Sequence, residues 1–540
     1  MKPPCQIKEA TVSIKRSIAS RNFTRIGMFV LCAAMLSTAC TRKSVGNVSV
    51  SVPPKAKSGN IEPVVRFLLV NDVYTADTLR DGTGGLSRVA AIRDSIERAT
   101  GSRVLYVLAG DVWSPSLLGK WYGGAQMDAA FNASRLDFAA FGNHEFDGSR
   151  ANVVARVAES KFSWLSGNCT EKGGKKFPGV RGWDTVTVNG VRIGIFGTVI
   201  VREYPAYVQC ANADTVTHAL VDTLSHTSQL IVGITHRTMI EDMHTLEIEP
   251  KVQAILGGHD HIGRRGEVDG RLVIKALSNA RTAALVTFTL RNGKWERKDT
   301  LFTMGRGNRV DARTETVVAA WRDTLARRIG KERVLGTTAT AIDATDSTQH
   351  KSESAFGDLV ADAMRAGTKA DVALINSGAM RFDDFMGPGP ITTHMLEAVF
   401  LFADESRAVT FLLTGKRLRE VLEHGVERAS LGQGPYLQVS GVRYTFDMSR
   451  PDGGRIVGPI TRENGVAFGD AETVRVSFVT FPACRNGDGY RIPEAMDACA
   501  VLAKNMESAP RTAQMLIDYV GAMGGTIRTP ELGRVLRISR

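Results

Sequence analysis

Residues 137–147 read DFAAFGNHEFD. An apolar run from Phe138 to Phe141 stops at Gly142 and gives way to Asn143, His144 and Glu145, side chains suited to chemistry rather than packing. The same event recurs four times in the first half of the chain. RFLLVND (66–72) ends in Asp72, VLYVLAGD (104–111) in Asp111, LIVGITH (230–236) in His236, and AILGGHDH (254–261) in His259 and His261. Helix-period segments lie between these runs; in LSRVAAIRDSIERAT (86–100), Leu86, Val89, Ile92 and Ile96 share one face. Continuous apolar strands alternating with helices predict an α/β layered domain with strands buried on both faces. Open α/β sheets bind ligands at the carboxyl ends of their strands, which is where these polar residues collect.

Each residue alone says little. A strand-end aspartate usually makes a turn or an N-cap, and His-x-His puts two imidazoles on one face of any strand. The ordered set is harder to assign to packing. Carboxylates, a carboxamide oxygen and neutral imidazoles are the donors that a pair of divalent metals requires. No phosphate-binding Gly-rich loop and no serine nucleophile elbow competes with that reading.

With 43% apolar and 23% charged residues the composition is that of an ordinary globular protein, and 540 residues exceed one core, so two domains are expected. The texture changes after residue 305. TETVVAAWRDTLARRI (314–329) reads as a solvent-tolerant helix joining two units. A second unit follows, with the helix ESAFGDLVADAMRAG (353–367) and the strands DVALIN (371–376), VRYTFDM (442–448) and VRVSFVTF (474–481). The expected division is 1–39 signal segment, 40–61 flexible tether, 62–305 first domain, 306–332 linker helix and 333–540 second domain.

Residues 1–25 carry six basic side chains against Glu9, and the apolar IGMFVLCAAMLSTA (26–39) follows. That is the pattern of an export signal, too short for a membrane span. Cys40 after LSTA resembles a bacterial lipoprotein cleavage box with Leu36 one position further out than usual, so Cys40 is a candidate lipidation site and simple cleavage the alternative. The expected location is periplasmic or outer-surface, with or without a membrane anchor. Losing residues 1–39 lowers the formal charge from +12 to +7. The remainder suits small anionic ligands and has no Lys/Arg run of the kind that grips nucleic acid. Beyond the signal region the cysteines are Cys169, Cys210, Cys484 and Cys499. An even number outside the cytoplasm suggests disulfides, Cys169–Cys210 and Cys484–Cys499 by proximity, with buried free thiols as the alternative.

The order D…GD…GNHEFD…H…GHDH resembles the calcineurin-like metallophosphoesterases. GNHEFD (142–147) together with the second unit narrows the resemblance to the bacterial and eukaryotic 5'-nucleotidase family, over roughly residues 64–530. The resemblance implies an N-terminal two-sheet sandwich flanked by helices and a smaller α/β C-terminal substrate-binding domain. It implies two divalent ions (Mn, Zn, Fe or Co), with Asp111 bridging, Asp72 and His261 on one metal, and Asn143, His236 and His259 on the other. His144 and Asp147 match the family's catalytic pair. The family often has a metal-binding histidine two residues after the first aspartate; here that position is Tyr74, whose oxygen or a water is expected to complete a weaker shell.

On the substrate side, NSGAMR (376–381) matches a family segment that supplies Asn376 and Arg381. ITTHMLEAVFLFAD (391–404) places one base-stacking ring at Phe402, and VTFPACRNGDGY (479–490) places the second at Phe481 with Asp488 as the acid. Three departures touch this side. His350, with Lys351 beside it, stands where the family usually has an arginine. Asn486 stands in a loop where glycine is usual, and Asp404 where many members have asparagine. The implied activity is phosphate release from nucleoside 5'-monophosphates. UDP-sugars, 2',3'-cyclic nucleotides or sulfur esters are alternative substrates for the same site, and a surface nucleotide or metal binder with degraded catalysis is the alternative of another class.

Overall fold

A computed structural model describes residues 62–538 apart from 403–406, 428, 430–431, 433 and 507–508. The signal segment, the tether with Cys40, and Asp404 lie outside the described residues.

The first domain is a sandwich of two sheets. One has seven strands in the order Lys294–Thr303, Thr282–Arg291, Val64–Val70, Val104–Ala109, Phe138–Ala140, Ser163–Leu165 and Val180–Arg181. The last five run parallel. The other sheet has six strands in the order Arg264–Val268, Arg271–Lys275, Ala254–Gly257, Leu230–His236, Val191–Val199 and Trp183–Val188. Alternation along Val64–Val70 decides the layering. Val65, Phe67 and Leu69 meet Ile193, Ile195 and Ile234 between the sheets, whereas Leu68 and Val70 face the helix side with Leu86 and Val89. Burying one such side chain is worth about 1.5–3 kcal/mol, so both faces of the strand stabilise the sandwich.

The hairpin Thr282–Arg291/Lys294–Thr303 extends the fold beyond the strands read from sequence. It pairs antiparallel with Val64–Val70 and closes that edge of the sheet. The joining helix is Ala312–Ile329, capped by Asp311 and buried only at Thr314 and Val318. In the second domain the strands Ala408–Thr414, Thr473–Val479, Val372–Asn376 and Leu437–Ser440 form one sheet under the helix Ala355–Thr368, against which the helix Thr512–Met523 packs. The strand expected to reach residue 481 stops at Val479, and Phe481 lies in the first turn of the helix Thr480–Arg485.

Cys169 and Cys210 face each other on paired strands and form a disulfide; Cys484 and Cys499 form a second. The first spans 41 residues. Removing it in a Cys169→Ser/Cys210→Ser variant is expected to cost about 2–4 kcal/mol, read as a lower denaturation midpoint.

Candidate active site

The carboxyl ends of both sheets meet on one rim, and the strand-end polar residues converge there. Asp72, Asp111, His259 and His261 all have left-handed backbone, with φ of 52°, 59°, 81° and 59°. Non-glycine residues seldom adopt it, and strain of this kind clusters where side chains are held for function. Ligand atoms of Asp72, Asp111 and His261 lie within 4.8 Å of one another. His236 Nε2 is 3.1 Å from Asp111 Oδ2 and 3.9 Å from Asp72 Oδ1. The His236 and His259 rings lie edge to face, 5.2 Å apart.

The donor set fits cations. His236 Nδ1 donates to the Ala109 carbonyl at 2.8 Å, which turns Nε2 toward the carboxylates, where a bound cation would take the place of the Nε2 proton. That Nε2 and the Asn143 Oδ1 are buried without a hydrogen-bond partner. Tyr74 Oη lies 3.0 Å from Asp111 Oδ2 and 2.9 Å from His261 Nε2. A phenol has one proton and can donate to only one of them. Burial, then the Asp111 and Asp72 carboxylates, pushes its pKa well above 10, so the phenol stays protonated.

Electrostatics point the same way. Burial raises Asp72, with Asp111 adding to the rise. Burial would raise Asp111 too, but His236 and His144 hold it far below the usual carboxylate range. Burial would lower His236, but the Asp111 and Asp72 carboxylates outweigh it and push the imidazole up to about 10. His259 is pulled down to about 4 by burial and by His236, which keeps its imidazole neutral and able to ligate.

His144 sits at the start of a short 3₁₀ turn, His144–Phe146. Its backbone N–H donates to Asp111 Oδ1 at 2.9 Å, its Nδ1 is 2.7 Å from Asp147 Oδ2, and its Nε2 is 4.0 Å from Asp111 Oδ2. Burial pulls the imidazole pKa down, yet Asp147 and Asp111 raise it above its ordinary value.

Sequence reasoning assigned no role to three residues here. Glu145, fully inside, accepts the backbone N–H groups of Asp111 at 2.9 Å, Val112 at 2.7 Å and Gly142 at 2.5 Å. Asn71 donates to Asp72 Oδ2 at 2.6 Å. Asp383 Oδ2 lies 3.9 Å from His261 Nδ1 and so ties the second domain to the rim. Adjacency to the motif was the only signal for the first two.

The second domain closes over the rim, joined through Arg281 to Asp384 at 2.8 Å and Lys120 to the Phe400 carbonyl at 2.8 Å. A cavity of about 890 Å³ lies between the domains, with Tyr74, His261, Asp346 and Arg381 in its walls. Arg381 Nη1 is 3.6 Å from Asp346 Oδ2, and its guanidinium lies 5.7 Å from the centre of the Phe402 ring. Asn376 donates to Asp488 at 2.7 Å, and Asp488 has φ of 55°. The Phe481 ring lies against Gly487, where an added Cβ would come within 2.4 Å of it. His350 Nε2 is buried without a partner, while Lys351 is exposed. Phe402, Phe481 and the Asn376–Asp488 pair do not line the cavity.

The calcineurin-like phosphoesterase family matches residues 65–263, and the 5'-nucleotidase C-terminal domain family matches residues 334–494. The chain belongs to the 5'-nucleotidase family. It is a metal-dependent phosphoester hydrolase, and the family implies divalent metal ions. Among curated relatives, the snake venom 5'-nucleotidase of Naja atra is 23% identical over 497 residues, covering 83% of this chain and 92% of that protein. The trifunctional nucleotide phosphoesterase protein YfkN of Bacillus subtilis is 25% identical over 487 residues, covering 78% of this chain and 32% of that protein. The crystal structure of a 5'-nucleotidase precursor from Thermus thermophilus superposes with a TM-score of 0.72 at 23% identity, covering 88% of this chain and all of that one. The sulfate thiohydrolase SoxB from Thermus thermophilus superposes with a TM-score of 0.68 at 16% identity, covering 88% of this chain and 97% of that one. These likenesses share the fold. No helix among the described residues is long and apolar enough to cross a membrane.

Proposed function

We propose that the chain is an exported two-metal phosphohydrolase that releases phosphate from nucleoside 5'-monophosphates. One observation carries the reading: His261, which shares a ligand cluster with Asp72 and Asp111, lines the same cleft as Arg381 of the second domain. Asp72, Asp111 and His261 would hold one divalent ion, and Asp111, Asn143, His236 and His259 the other. When bound, such a pair supplies Lewis acidity toward a phosphoryl oxygen and lowers the pKa of an attacking water. Arg381 orients the phosphate through its planar fork. His144, held cationic by Asp147, delivers a proton to the leaving alkoxide. Asn376, Phe402, Phe481 and Asp488, which stand outside that cleft, would form the nucleoside side, where rings grip any base by its face.

A second reading has its own support. Arg381 is flanked by Asp346, and His350 replaces a further arginine, so the anion pole carries less positive charge than a phosphate dianion would favour. Cyclic phosphates or sulfur esters suit such a pole better. The deciding experiment is a release assay on Mn²⁺-loaded protein over AMP, 2',3'-cyclic AMP, UDP-glucose and a thiosulfate ester, compared by kcat/KM. AMP as the best substrate supports the first reading; turnover of generic esters with no nucleotide cleaved sinks it. No turnover above a metal-free control would point to the binding protein instead.

Tyr74 gives a sharper test. A protonated phenol is a poorer ligand than imidazole. Tyr74→His is expected to tighten the more weakly held metal by about tenfold, measured by Mn²⁺ titration. Unchanged affinity and stoichiometry would make Tyr74 a spectator.

A further inference from the structure

Lys275 is a buried cation that the chemistry above does not use. It ends the strand Arg271–Lys275, and its side chain is 0% exposed. The ammonium lies 3.0 Å from Asp242 Oδ2 and 2.8 Å from Asp260 Oδ2, and it donates to the carbonyls of Arg237 at 2.5 Å and Gly258 at 2.8 Å. The positions of these partners matter. Arg237 follows His236, Gly258 precedes His259, and Asp260 lies between His259 and His261. One ammonium therefore fastens the backbone beside three imidazoles. The next residue extends the fastening: Ala276 N–H donates to Asn71 Oδ1 at 2.8 Å, and the same amide donates from Nδ2 to Asp72 Oδ2 at 2.6 Å.

The niche for this lysine is built into the neighbouring strand. Gly257 sits opposite Lys275 in register, and a Cβ there would come within 2.7 Å of Asp242 Oδ2 and 3.0 Å of Lys275 Cε. Asp242 is itself held by a hydrogen bond from Thr235 Oγ1 at 2.6 Å. Desolvating an ammonium and two carboxylates offsets most of their attraction, and apolar side chains of the same volume stabilise a fold as well or better. Stability alone does not account for a lysine at this point. Its donors do, because they meet carbonyls and a carboxylate on the segments that carry the imidazoles.

We propose that Lys275 is a positioning residue for the metal centre, fixing the backbone on either side of His236, His259 and His261. The idea rests on the two-metal reading. Lys275 touches neither substrate nor ligand atoms; it acts through Arg237, Gly258 and Asp260. Outer partners of this kind are worth about 10–100-fold in metal affinity.

The test is Lys275→Met in the full chain, stripped of metal, titrated calorimetrically with Mn²⁺ and assayed on AMP. Mn²⁺ affinity should fall by about 10–100-fold, while KM for AMP at saturating Mn²⁺ stays within about twofold, since Arg381 and the cleft are untouched. A merely structural lysine would lower the melting temperature and leave the affinity of the folded protein unchanged; that result overturns the proposal. If Lys275→Met does not fold, Asp260→Asn removes one arm of the fastening from a side chain that is 16% exposed. It should weaken Mn²⁺ by at least about threefold, and unaltered affinity overturns the proposal. Wild-type protein that binds no divalent ion overturns the two-metal reading together with this one, whereas equal affinity in wild type and variants overturns this one alone.

Discussion

Asp111→Asn should abolish turnover, with a loss on the order of 10³-fold or more, above the 10–100-fold that outer partners of a metal typically cost. Asp111 is the residue on which the other groups converge. His236, Tyr74 and the His144 backbone all approach its two oxygens. Glu145 and the left-handed turn at φ 59° fix it from behind. An asparagine keeps the shape, loses the charge and turns one acceptor into a donor. Without cations the wild-type site crowds buried carboxylates together, and burial together with Asp111 already raises Asp72. The same Asp111 charge is held in place by His236 and His144, so removing it leaves a buried imidazole without its main counter-charge, and the metal-free variant should melt below the metal-free wild type. It should lose the stabilisation that ions confer, which for one site at 100 times Kd is about 2.7 kcal/mol. Melting curves with and without Mn²⁺, beside metal analysis, check this directly. A variant that melts below the wild type yet keeps the full Mn²⁺ stabilisation would mark Asp111 as a folding residue instead.

What could be read in the chain and what could not follows from where the information sits. A strand that ends in a polar residue announces itself locally, so Asp72, Asp111, Asn143, His236, His259 and His261 stood out from spacing and residue type. The α/β layering followed from the same runs, and the two-sheet sandwich from the family resemblance that their order carries. Groups whose partners are remote did not stand out. Asn71 joins Asp72 to Ala276 across 205 residues, and Lys275 reaches Arg237 and Gly258 just past the ends of the strands Leu230–His236 and Ala254–Gly257. The hairpin Thr282–Arg291/Lys294–Thr303 is an amphipathic edge whose partner, Val64–Val70, lies over two hundred residues earlier. Asp346 and Asp383 look like loop acids in sequence; the folding of the second domain sets Asp346 beside Arg381, and its closure over the rim sets Asp383 beside His261. Tyr74 was legible as an irregularity, but the Asp111 and His261 atoms on either side of its oxygen were not.

His144→Ala should lower kcat toward AMP by about 10²–10⁴-fold, the usual worth of a positioned general acid. Asp147→Asn tests how that acid is tuned. Burial favours the neutral imidazole, and the carboxylates of Asp147 and Asp111 overcome it, so the folded pKa lies above the ordinary value of about 6.5. The sign follows. The cation, and the stability it contributes, is fully present below the unfolded pKa and is lost as pH rises through the raised folded pKa. An acid that must be protonated gives an alkaline limb to the rate profile at that same raised value. Asp147→Asn removes the larger of the two raising charges, so the limb should move to lower pH and activity should fall more at pH 8 than at pH 6. The leaving group supplies an independent check. A p-nitrophenyl ester departs without protonation, so His144→Ala should cost it at least about tenfold less than it costs AMP. Equal losses on both esters would mean that His144 acts on the phosphoryl oxygens and not on the leaving group. Its cation would then work as an electrostatic clamp beside Arg381, and the alkaline limb would persist with either ester.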